Sequence, residues 1–330
     1  MHKKQKSKAN TILKILKRII YILLIAVALL AIYLYVNKAP DKSVAELSKR
    51  WAPEPSQFLK IAGRNIHFRD EGPKSDKEPI VLIHGTSASL HTWDGWVHEL
   101  KAHRRVIRFD LPAFGLTGPD PTNNYTIEHY ADIVVAILDK LEIKNSVLAG
   151  NSLGGYVSWA TAVLHPNRVS KLILVDASGY PFKSESVPLA FTLSKNALTN
   201  GLLKNVLPKS LVEQSVKNVY GNPALVTDEL VERYYQLTLR EGNRAALKER
   251  FKQTIPGPLA KKIKTINIPT LIIWGRKDQL IPLDLGLKFA QEINQSQLVI
   301  FDDLGHVPHE EDPKATVSAV KKFLTLGIVK

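Results

Sequence analysis

The sequence predicts an α/β domain with a mostly parallel sheet, attached to a single membrane-spanning helix. Three features of the 330 residues support this: short apolar segments alternate with helix-length segments, one long uncharged apolar run lies near the N-terminus, and cysteine is absent. Short runs that are apolar on both faces and separated by helices are typical of buried parallel strands. The chain can bury a large core, and it has no thiol for a disulfide, a metal or a lipid anchor.

Residues 1–18 form a basic segment ahead of the apolar run. They contain seven lysines and arginines and no acid, which is half of the net charge of +14. A charge of this size can indicate a nucleic-acid partner, but the remaining surplus shows no basic stripe with interleaved aromatic residues. We therefore expect no nucleic-acid partner and interpret the basic segment as a membrane topology signal.

Residues 19–36 read IIYILLIAVALLAIYLYV and predict a single-pass anchor in the cell membrane. As a helix this run spans about 27 Å, close to the hydrocarbon thickness of a bilayer. A cleavable signal peptide is the alternative, but it needs small residues where this chain has Tyr33-Leu34-Tyr35. The excess of N-terminal cations predicts a cytoplasmic N-terminus and an extracytoplasmic domain, although cations after residue 36 leave the opposite orientation open.

Residues 37–57 contain three prolines and no hydrophobic periodicity, which predicts a linker that holds the domain off the bilayer. The core is assigned to residues 58–177 and 267–330. Its predicted strands are Phe58–Ile61, Asn65–Arg69, Ile80–His84, Arg105–Asp110, Ser146–Ala149, Lys171–Asp176, Thr270–Trp274 and Gln297–Phe301. Its clearest helices are Ile127–Leu141, Gly154–Leu164, Leu283–Ile293 and Pro313–Thr325. Residues 178–266 show helical segments without a strand pattern, which predicts a helical cap inserted between two core strands.

Ser152 is the candidate nucleophile. It lies in Gly150-Asn151-Ser152-Leu153-Gly154, a G-x-S-x-G pattern between a predicted strand and a predicted helix. This context places the serine on a strained turn, and the glycines leave room for neighbouring backbone. Because a serine hydroxyl is a weak nucleophile, an orienting acid and then a histidine base should follow in the chain.

Asp278 and His306 fill these two places, because each follows a predicted strand and the carboxyl ends of parallel strands share one edge of a sheet. His306 would take the proton from the serine and return it to the leaving group, and Asp278 would orient the imidazole. Asp176, at the end of the preceding core strand, is the main rival for the acid. Asp302 and Asp303 are further alternatives close to His306 in the chain.

Two backbone amides should stabilise negative charge on the substrate oxygen. Leu153, the residue after the nucleophile, is expected to supply one. Thr86, in the loop after the strand at residues 80–84, is expected to supply the other, with Ser87 as second choice. His84 in the same loop is expected to be a structural hydrogen-bonding residue. The sequence predicts no cofactor and no metal.

Together these motifs resemble those of the α/β-hydrolase superfamily from about Phe58 to the C-terminus. The matching segments are HGT at 84–86, DLPAFGLTG at 110–118, GNSLGG at 150–155, WGRKDQLIP at 274–282 and GHVPHEEDP at 305–313. The resemblance implies an α/β-hydrolase fold, with an eight-stranded, mostly parallel sheet and a helical cap. It also implies structural roles for Asp110 and Gly115.

Within the superfamily the chain is most similar to bacterial lipases and esterases and to carbon–carbon bond hydrolases that share GNSxGG. Epoxide hydrolases and haloalkane dehalogenases use an aspartate nucleophile, which Ser152 argues against. Carbon–carbon bond hydrolases usually carry Trp after the catalytic histidine, where this chain has Val307. Proline iminopeptidases usually carry Trp after the nucleophile, where this chain has Leu153.

The leading hypothesis is a membrane-anchored serine hydrolase that cleaves a small-molecule or lipid-like carboxylic ester through an acyl-enzyme. A carbon–carbon or amide hydrolase with the same triad is one alternative. A catalytically silent binding module at the membrane is an alternative of another class, although no triad residue is missing. The sequence makes no prediction of oligomeric state.

Overall fold

A computed structural model of the chain describes residues 2–195 and 205–326, which include an eight-stranded sheet. Its strands are β1 Gln57–Ile61, β2 Arg64–Glu71, β3 Ile80–Ile83, β4 Val106–Phe109, β5 Ser146–Asn151, β6 Val169–Val175, β7 Thr270–Gly275 and β8 Ser296–Phe301. The order across the sheet is β1-β2-β4-β3-β5-β6-β7-β8. The β1-β2 and β2-β4 pairs are antiparallel, and the remaining pairs are parallel. The predicted eight-stranded, mostly parallel sheet is confirmed.

The described residues also form α-helices, and some of these cover both faces of the sheet. In chain order the α-helices are α1 His2–Val36, α2 Val44–Trp51, α3 Asp94–Leu100, α4 Ile127–Lys140, α5 Leu153–Leu164, α6 Leu189–Lys195, α7 Lys209–Val219, α8 Asp228–Thr238, α9 Asn243–Gln253, α10 Leu283–Glu292, α11 Pro308–Glu311 and α12 Pro313–Leu326. The four helices predicted in the core correspond to α4, α5, α10 and α12, with ends that agree to within one residue.

The two faces of the sheet pack against two separate hydrophobic clusters. Val81 and Ile83 of β3 contribute to the cluster that contains residues of α4, α5 and α10, whereas Ile80 and Leu82 contribute to the cluster that contains residues of α3 and α12. All of β3 is therefore buried. Burial on both faces is the physical reason that the central strands lack an alternating pattern.

The carboxyl ends of the parallel strands β3, β5, β6, β7 and β8 lie at one edge of the sheet. The chain segments that follow these strands therefore emerge at the same edge. These segments contain the residues that the sequence singles out for catalysis. The topology alone thus brings distant parts of the chain to one place.

Helices α6 to α9 lie between β6 and β7, in the stretch predicted as a cap. Its described residues, 178–195 and 205–266, contain no β-strand, and the predicted cap residues 196–204 lie outside the described part of the chain. Leu211, Val212 and Val216 of α7 pack with Leu239 in a hydrophobic cluster separate from the two that cover the sheet. We use the name cap for residues 178–266.

Residues 37–42 pack on the cap, unlike the free linker that the sequence predicts. The backbone amide of Ala39 donates to the carbonyl of Asn205 at 2.9 Å, and the amide of Lys42 donates to the carbonyl of Leu239 at 2.7 Å. Glu241 in turn donates to the carbonyl of Lys42 at 2.9 Å. The chain therefore joins the cap immediately after α1.

Helix α2 is a second difference from the predicted linker. The Ser43 side chain caps its first turn by accepting from the amide of Glu46, and Leu47 and Trp51 are buried. The Trp51 indole donates to the Gln236 side chain of α8 at 2.9 Å. The sequence pattern failed here because α2 has 8 residues, too few for a periodic apolar stripe to stand out between the flanking prolines.

The N-terminal helix α1 contains a candidate membrane span at Leu13–Val36. This stretch has 24 residues and a mean hydropathy of 2.9 in its most apolar window, and at 1.5 Å per residue it is about 36 Å long. None of that window is buried against the rest of the protein. By length and composition the helix can cross a bilayer or act as a signal sequence.

Candidate active site

Ser152 occupies the sharp turn between β5 and α5. Its φ of 56° and ψ of −115° lie in a region that residues with a Cβ rarely adopt. Close packing enforces the turn: a Cβ on Gly154 would lie 2.0 Å from the carbonyl oxygen of Ile83, and one on Gly150 would lie 2.1 Å from the carbonyl oxygen of Gly154. Both positions therefore require glycine, and the backbone strain is concentrated at the serine.

Asn151 connects this turn to two neighbouring parts of the site. Its side-chain amide donates to the carbonyl oxygen of Val175 at 3.2 Å and to that of His306 at 2.9 Å. The side chain is buried, so these bonds fix the position of the loop that carries His306 relative to Ser152. Sequence reasoning did not single out Asn151, whose one signal was its place inside the G-x-S-x-G motif.

His306 and Asp278 form a buried pair. The Nδ1 atom of His306 lies 2.7 Å from Oδ2 of Asp278, and Oδ1 of Asp278 accepts from the amides of Leu280 and Ile281 at 2.8 and 2.9 Å. The carboxylate is thus held from both sides, and it fixes the proton of the imidazole on Nδ1. Within the described residues Nε2 of His306 makes no hydrogen bond, and His306 lines the same cavity as Ser152.

Asp176, the rival acid, makes no hydrogen bond with His306 in the described structure. Its Oδ1 accepts from the amide of Gly275 at 3.0 Å, and its Oδ2 has no donor among the described residues. Burial and the neighbouring Asp278 raise the pKa of Asp176 well above its usual range. The raised pKa favours the neutral form of Asp176, so this residue is less suited than Asp278 to orient the imidazole.

The same three groups are also close enough to hold a metal ion. One ligand atom from each of Asp176, Asp278 and His306 lies within 4.8 Å of the other two. However, Nδ1 of His306 and Oδ2 of Asp278 are bonded to each other, and the raised pKa of Asp176 disfavours the charged form that a cation would need. The arrangement fits an acid–histidine pair better than a metal centre. The other alternative acids, Asp302 and Asp303, form exposed ion pairs at the surface.

The loop at residues 84–87 approaches the nucleophile turn closely. A Cβ on Gly85 would lie 2.9 Å from the Asn151 side chain and 3.1 Å from the Cβ of Ser152. His84 holds this loop, since its Nδ1 donates to the carbonyl of Gly85 at 2.7 Å while its Nε2 accepts from the amide of Leu111 at 2.9 Å. Burial lowers the pKa of His84, which keeps the ring neutral as this bonding pattern requires.

Thr86 and Leu153 line the same cavity as Ser152 and His306. No described residue accepts a hydrogen bond from the backbone amide of Thr86 or of Leu153. Leu153 is also the first residue of α5, where the helix dipole favours negative charge. Ser87, the second-choice donor, lines the cavity as well.

Asp110 holds the loop that follows β4. It accepts hydrogen bonds from Nδ1 of His67 and from the amides of Leu90 and Leu116, at 2.7 to 2.8 Å. A Cβ on Gly115 would lie 2.1 Å from its carboxyl group. These contacts fit the structural roles that the resemblance implies for both residues.

The cavity beside Ser152 has a volume of about 380 Å³ and lies between the sheet edge and the cap. Ser152, His306 and the loop at residues 85–88 form its polar floor. Most of the remaining wall is apolar and comes from the cap, for example from Phe182, Phe191 and Leu211.

The cap is bonded directly to the loop that carries His306. The amide of His306 donates to the carbonyl of Val219 at 2.8 Å, and Glu311 accepts from the amides of Gly305 and Gly221 at 2.7 and 2.8 Å. The two glycines cross so closely that a Cβ on Gly305 would lie 2.4 Å from the amide nitrogen of Gly221. Residues 219–221 of the cap are therefore hydrogen-bonded to the loop that carries His306.

A second contact between the cap and this loop is ionic. Arg233 of α8 pairs with Glu310 of α11, and the hydroxyl of Tyr234 donates to the same carboxylate at 3.0 Å. All three side chains have little exposure, so the charges are neutralised within the protein.

Comparison with known proteins identifies the family. Residues 78–313 match the family model for the alpha/beta hydrolase fold. The chain belongs to the α/β-hydrolase family. This assignment agrees with the sheet order, the serine turn and the positions of Asp278 and His306 after β7 and β8.

Relatives of this α/β hydrolase include both carbon–carbon bond hydrolases and an esterase. A 2-hydroxy-6-oxo-2,4-heptadienoate hydrolase of Pseudomonas putida (strain F1) is 32% identical over 287 residues, covering 82% of this chain and 96% of that protein. A meta-cleavage product hydrolase from Pseudomonas fluorescens IP01 has a TM-score of 0.71 at 26% identity, covering 82% of this chain and 98% of that one. A thermophilic esterase from Thermogutta terrifontis has a TM-score of 0.66 at 26% identity, covering 83% and 98%.

The buried acid pair predicts a pH-dependent effect of Asp176→Asn on stability. The folded α/β hydrolase keeps the Asp176 proton to a higher pH than the unfolded chain does, so this residue's contribution to stability falls as pH rises through that interval. Asparagine does not titrate. The free energy of unfolding of the variant relative to wild type should therefore increase from pH 5 to pH 7, by at most about 1.4 kcal/mol per pH unit.

Urea unfolding at the two pH values measures this difference. Asp303→Asn is the matched control, because its side chain is exposed, and it should give the same small difference at both pH values. A pH-independent difference for Asp176→Asn would show that Asp176 is ionised in the folded protein.

Proposed function

We propose that this hydrolase is a serine hydrolase that cleaves carboxylic esters through an acyl-enzyme on Ser152. The observation that carries the proposal is the buried bond between His306 and Asp278, with Nε2 of His306 and the strained serine turn at one cavity. Nucleophile, base and orienting acid follow one another in the chain order of α/β hydrolases. The complete set favours an enzyme over a catalytically silent binding module.

In the proposed mechanism Nε2 of His306 accepts the proton of the Ser152 hydroxyl as the serine oxygen attacks the ester carbonyl carbon. Asp278 stabilises the resulting imidazolium through the 2.7 Å bond to Nδ1. The imidazolium then gives its proton to the departing alcohol, and the acyl group remains on Ser152. A water molecule, activated by the same histidine, releases the carboxylic acid and restores the serine.

The amides of Thr86 and Leu153 are the proposed oxyanion donors. Both face the cavity without a protein acceptor in the described chain, and they belong to two segments that the glycines at 85 and 154 bring together. Each such donor contributes about 2.7–4 kcal/mol to lowering the barrier.

One set of observations favours ester hydrolysis and another favours carbon–carbon bond hydrolysis. The apolar cap wall and Val307 after the histidine favour an ester with an apolar acyl chain. The relatives named for 2-hydroxy-6-oxo-2,4-heptadienoate and for meta-cleavage products favour carbon–carbon bond cleavage. The ester is our first choice, and the carbon–carbon bond hydrolase is the second candidate.

The proposal includes an uncleaved membrane anchor at residues 19–36. The apolar side chains of this stretch are exposed along α1, an arrangement that water disfavours and lipid accommodates. The seven cations before it favour a cytoplasmic N-terminus, with the hydrolase domain on the opposite side.

A fluorophosphonate probe tests the proposed nucleophile and acid. Wild type should be labelled and Ser152→Ala should not. In hydrolysis of a p-nitrophenyl ester, Asp278→Asn should lower kcat by about 10⁴-fold, because an asparagine stabilises the wrong imidazole tautomer. Asp303→Asn, the same change at an exposed carboxylate, should leave kcat unaltered. Equal labelling of wild type and Ser152→Ala would exclude this site as the source of activity.

A series of p-nitrophenyl esters tests the substrate class. The apolar wall predicts that kcat/KM rises with acyl length, by about fourfold for each added methylene until the cavity is full. A maximum at acetate would contradict a lipid-like acyl group. Turnover of 2-hydroxy-6-oxo-2,4-heptadienoate without turnover of any ester would establish the second candidate instead.

A protease applied to the outer face of intact spheroplasts tests the orientation. The domain after residue 36 should be digested while a tag placed before residue 2 stays protected. Digestion of the tag with full protection of the domain would reverse the proposed topology, and release of the whole domain into the medium would identify residues 1–36 as a cleaved signal.

A further inference from the structure

Arg250 is a buried cation on the wall of the catalytic cavity. It lies on α9 in the cap, its residue is 8% exposed, and it lines the cavity that also contains Ser152 and His306. The cavity is otherwise mainly apolar on its cap side. Arg250 therefore belongs to the wall that a substrate extending from the serine toward the cap would face.

No acidic group in the described part of the chain neutralises Arg250. In residues 2–195 and 205–326 its guanidinium forms no ion pair and no hydrogen bond, and its Nε is buried without an acceptor. The undescribed cap residues 196–204 read NALTNGLLK and contain no acid. The nearby phenol of Tyr130 cannot supply a negative charge, because burial raises its pKa further above neutral.

Two other cap arginines, Arg233 and Arg244, have acidic partners, whereas Arg240 bonds to the backbone carbonyls of Glu241 and Thr117. Arg233 pairs with Glu310, and Arg244, which also lines the cavity, pairs with Asp41. Arg250 differs from both, and burial lowers its pKa to about 10. It therefore remains a cation at neutral pH. Its guanidinium carbon lies 4.9 Å from the centroid of the Phe251 ring, a contact that partly offsets the desolvation cost but supplies no counter-charge.

We propose that Arg250 binds an anionic oxygen group of the substrate, a carboxylate or a phosphate, at the end remote from the scissile bond. This inference rests on the proposed function and deepens it by naming the charge of the substrate. A guanidinium binds both groups through two parallel hydrogen bonds, and a buried, otherwise unpaired guanidinium gives such bonds their full strength. The apolar wall then contacts the chain between the anion and the ester.

Two substrate pairs distinguish the carboxylate from the phosphate. The first pair is the mono-p-nitrophenyl ester of glutaric acid against p-nitrophenyl valerate, which differ by a terminal carboxylate in place of a methyl group. The second pair is a lysophosphatidic acid against the monoacylglycerol with the same acyl chain. Full-length protein in a non-ionic detergent should prefer the anionic member of one pair.

Arg250→Met tests whether this preference depends on the guanidinium. The variant should lower kcat/KM for the preferred anionic substrate by about 10- to 100-fold and change the neutral partner by less than about threefold. Arg250→Lys should retain part of the preference, because it keeps the charge but not the planar donor pair. Lys252→Met, which removes the same charge from an exposed position on α9, should behave as wild type on all four substrates.

Thermal stability gives a readout that does not need catalysis. Arg250→Met should raise Tm, since it removes an uncompensated buried cation. Free glutarate or inorganic phosphate should raise the Tm of wild type and of Lys252→Met but not that of Arg250→Met. A lower Tm for Arg250→Met, with no anion-dependent stabilisation of wild type and no charge preference in either pair, would overturn the proposal.

These outcomes also separate the failure of this inference from that of the proposed function. Hydrolysis of neutral esters without any Arg250-dependent preference would refute the anion site and leave the esterase intact. Anion-dependent stabilisation of wild type without hydrolysis of any ester would retain the site and refute the esterase.

Discussion

The contact between Gly154 and the carbonyl oxygen of Ile83 is the constraint on which the catalytic geometry depends. Because α5 starts directly against the end of β3, the chain has no room for a relaxed turn, and Ser152 takes the strain. The same contact brings the loop at residues 84–87 beside the serine. Nucleophile and proposed oxyanion donors are thus positioned by backbone packing, and a methyl group at residue 154 would separate them.

Some buried charged side chains around this turn have a partner of opposite charge and others do not, and this difference bears on the proposed reaction. Asp278 accepts hydrogen bonds from His306 and from two backbone amides, whereas burial and the neighbouring Asp278 raise the pKa of Asp176. The Asp278 carboxylate is the proposed partner of the imidazolium that the reaction forms. Arg233 and Glu310 cancel each other. Arg250 has no acidic partner among the described residues, and it is the charge that we propose the substrate neutralises.

Much of the core and site follows from local sequence signals. The strands β3, β5 and β7 are visible as apolar runs, and Ser152, Asp278 and His306 follow such runs at positions where short-range patterns suffice. The sequence could not decide whether Asp278 or Asp176 orients the histidine, because this depends on which side chain reaches His306 in the fold. Helix α2 was missed because it is short and because its Leu47 and Trp51 bury against residues far along the chain, Leu116 and Leu237. Arg250 was missed for a related reason: Arg244 of the same helix is neutralised by Asp41, 203 residues away in sequence, and no local pattern shows which cation has a partner.

The crossing of Gly221 and Gly305 makes part of the cap a component of the catalytic frame. The amide of His306 donates a hydrogen bond to the carbonyl of Val219, at the end of α7. An outward movement of α7 would therefore break this bond or move His306 away from Asp278. Local unfolding of α7 would therefore inactivate the site even though no catalytic side chain lies on that helix. The folding of this part of the cap is thereby coupled to the position of the proposed base.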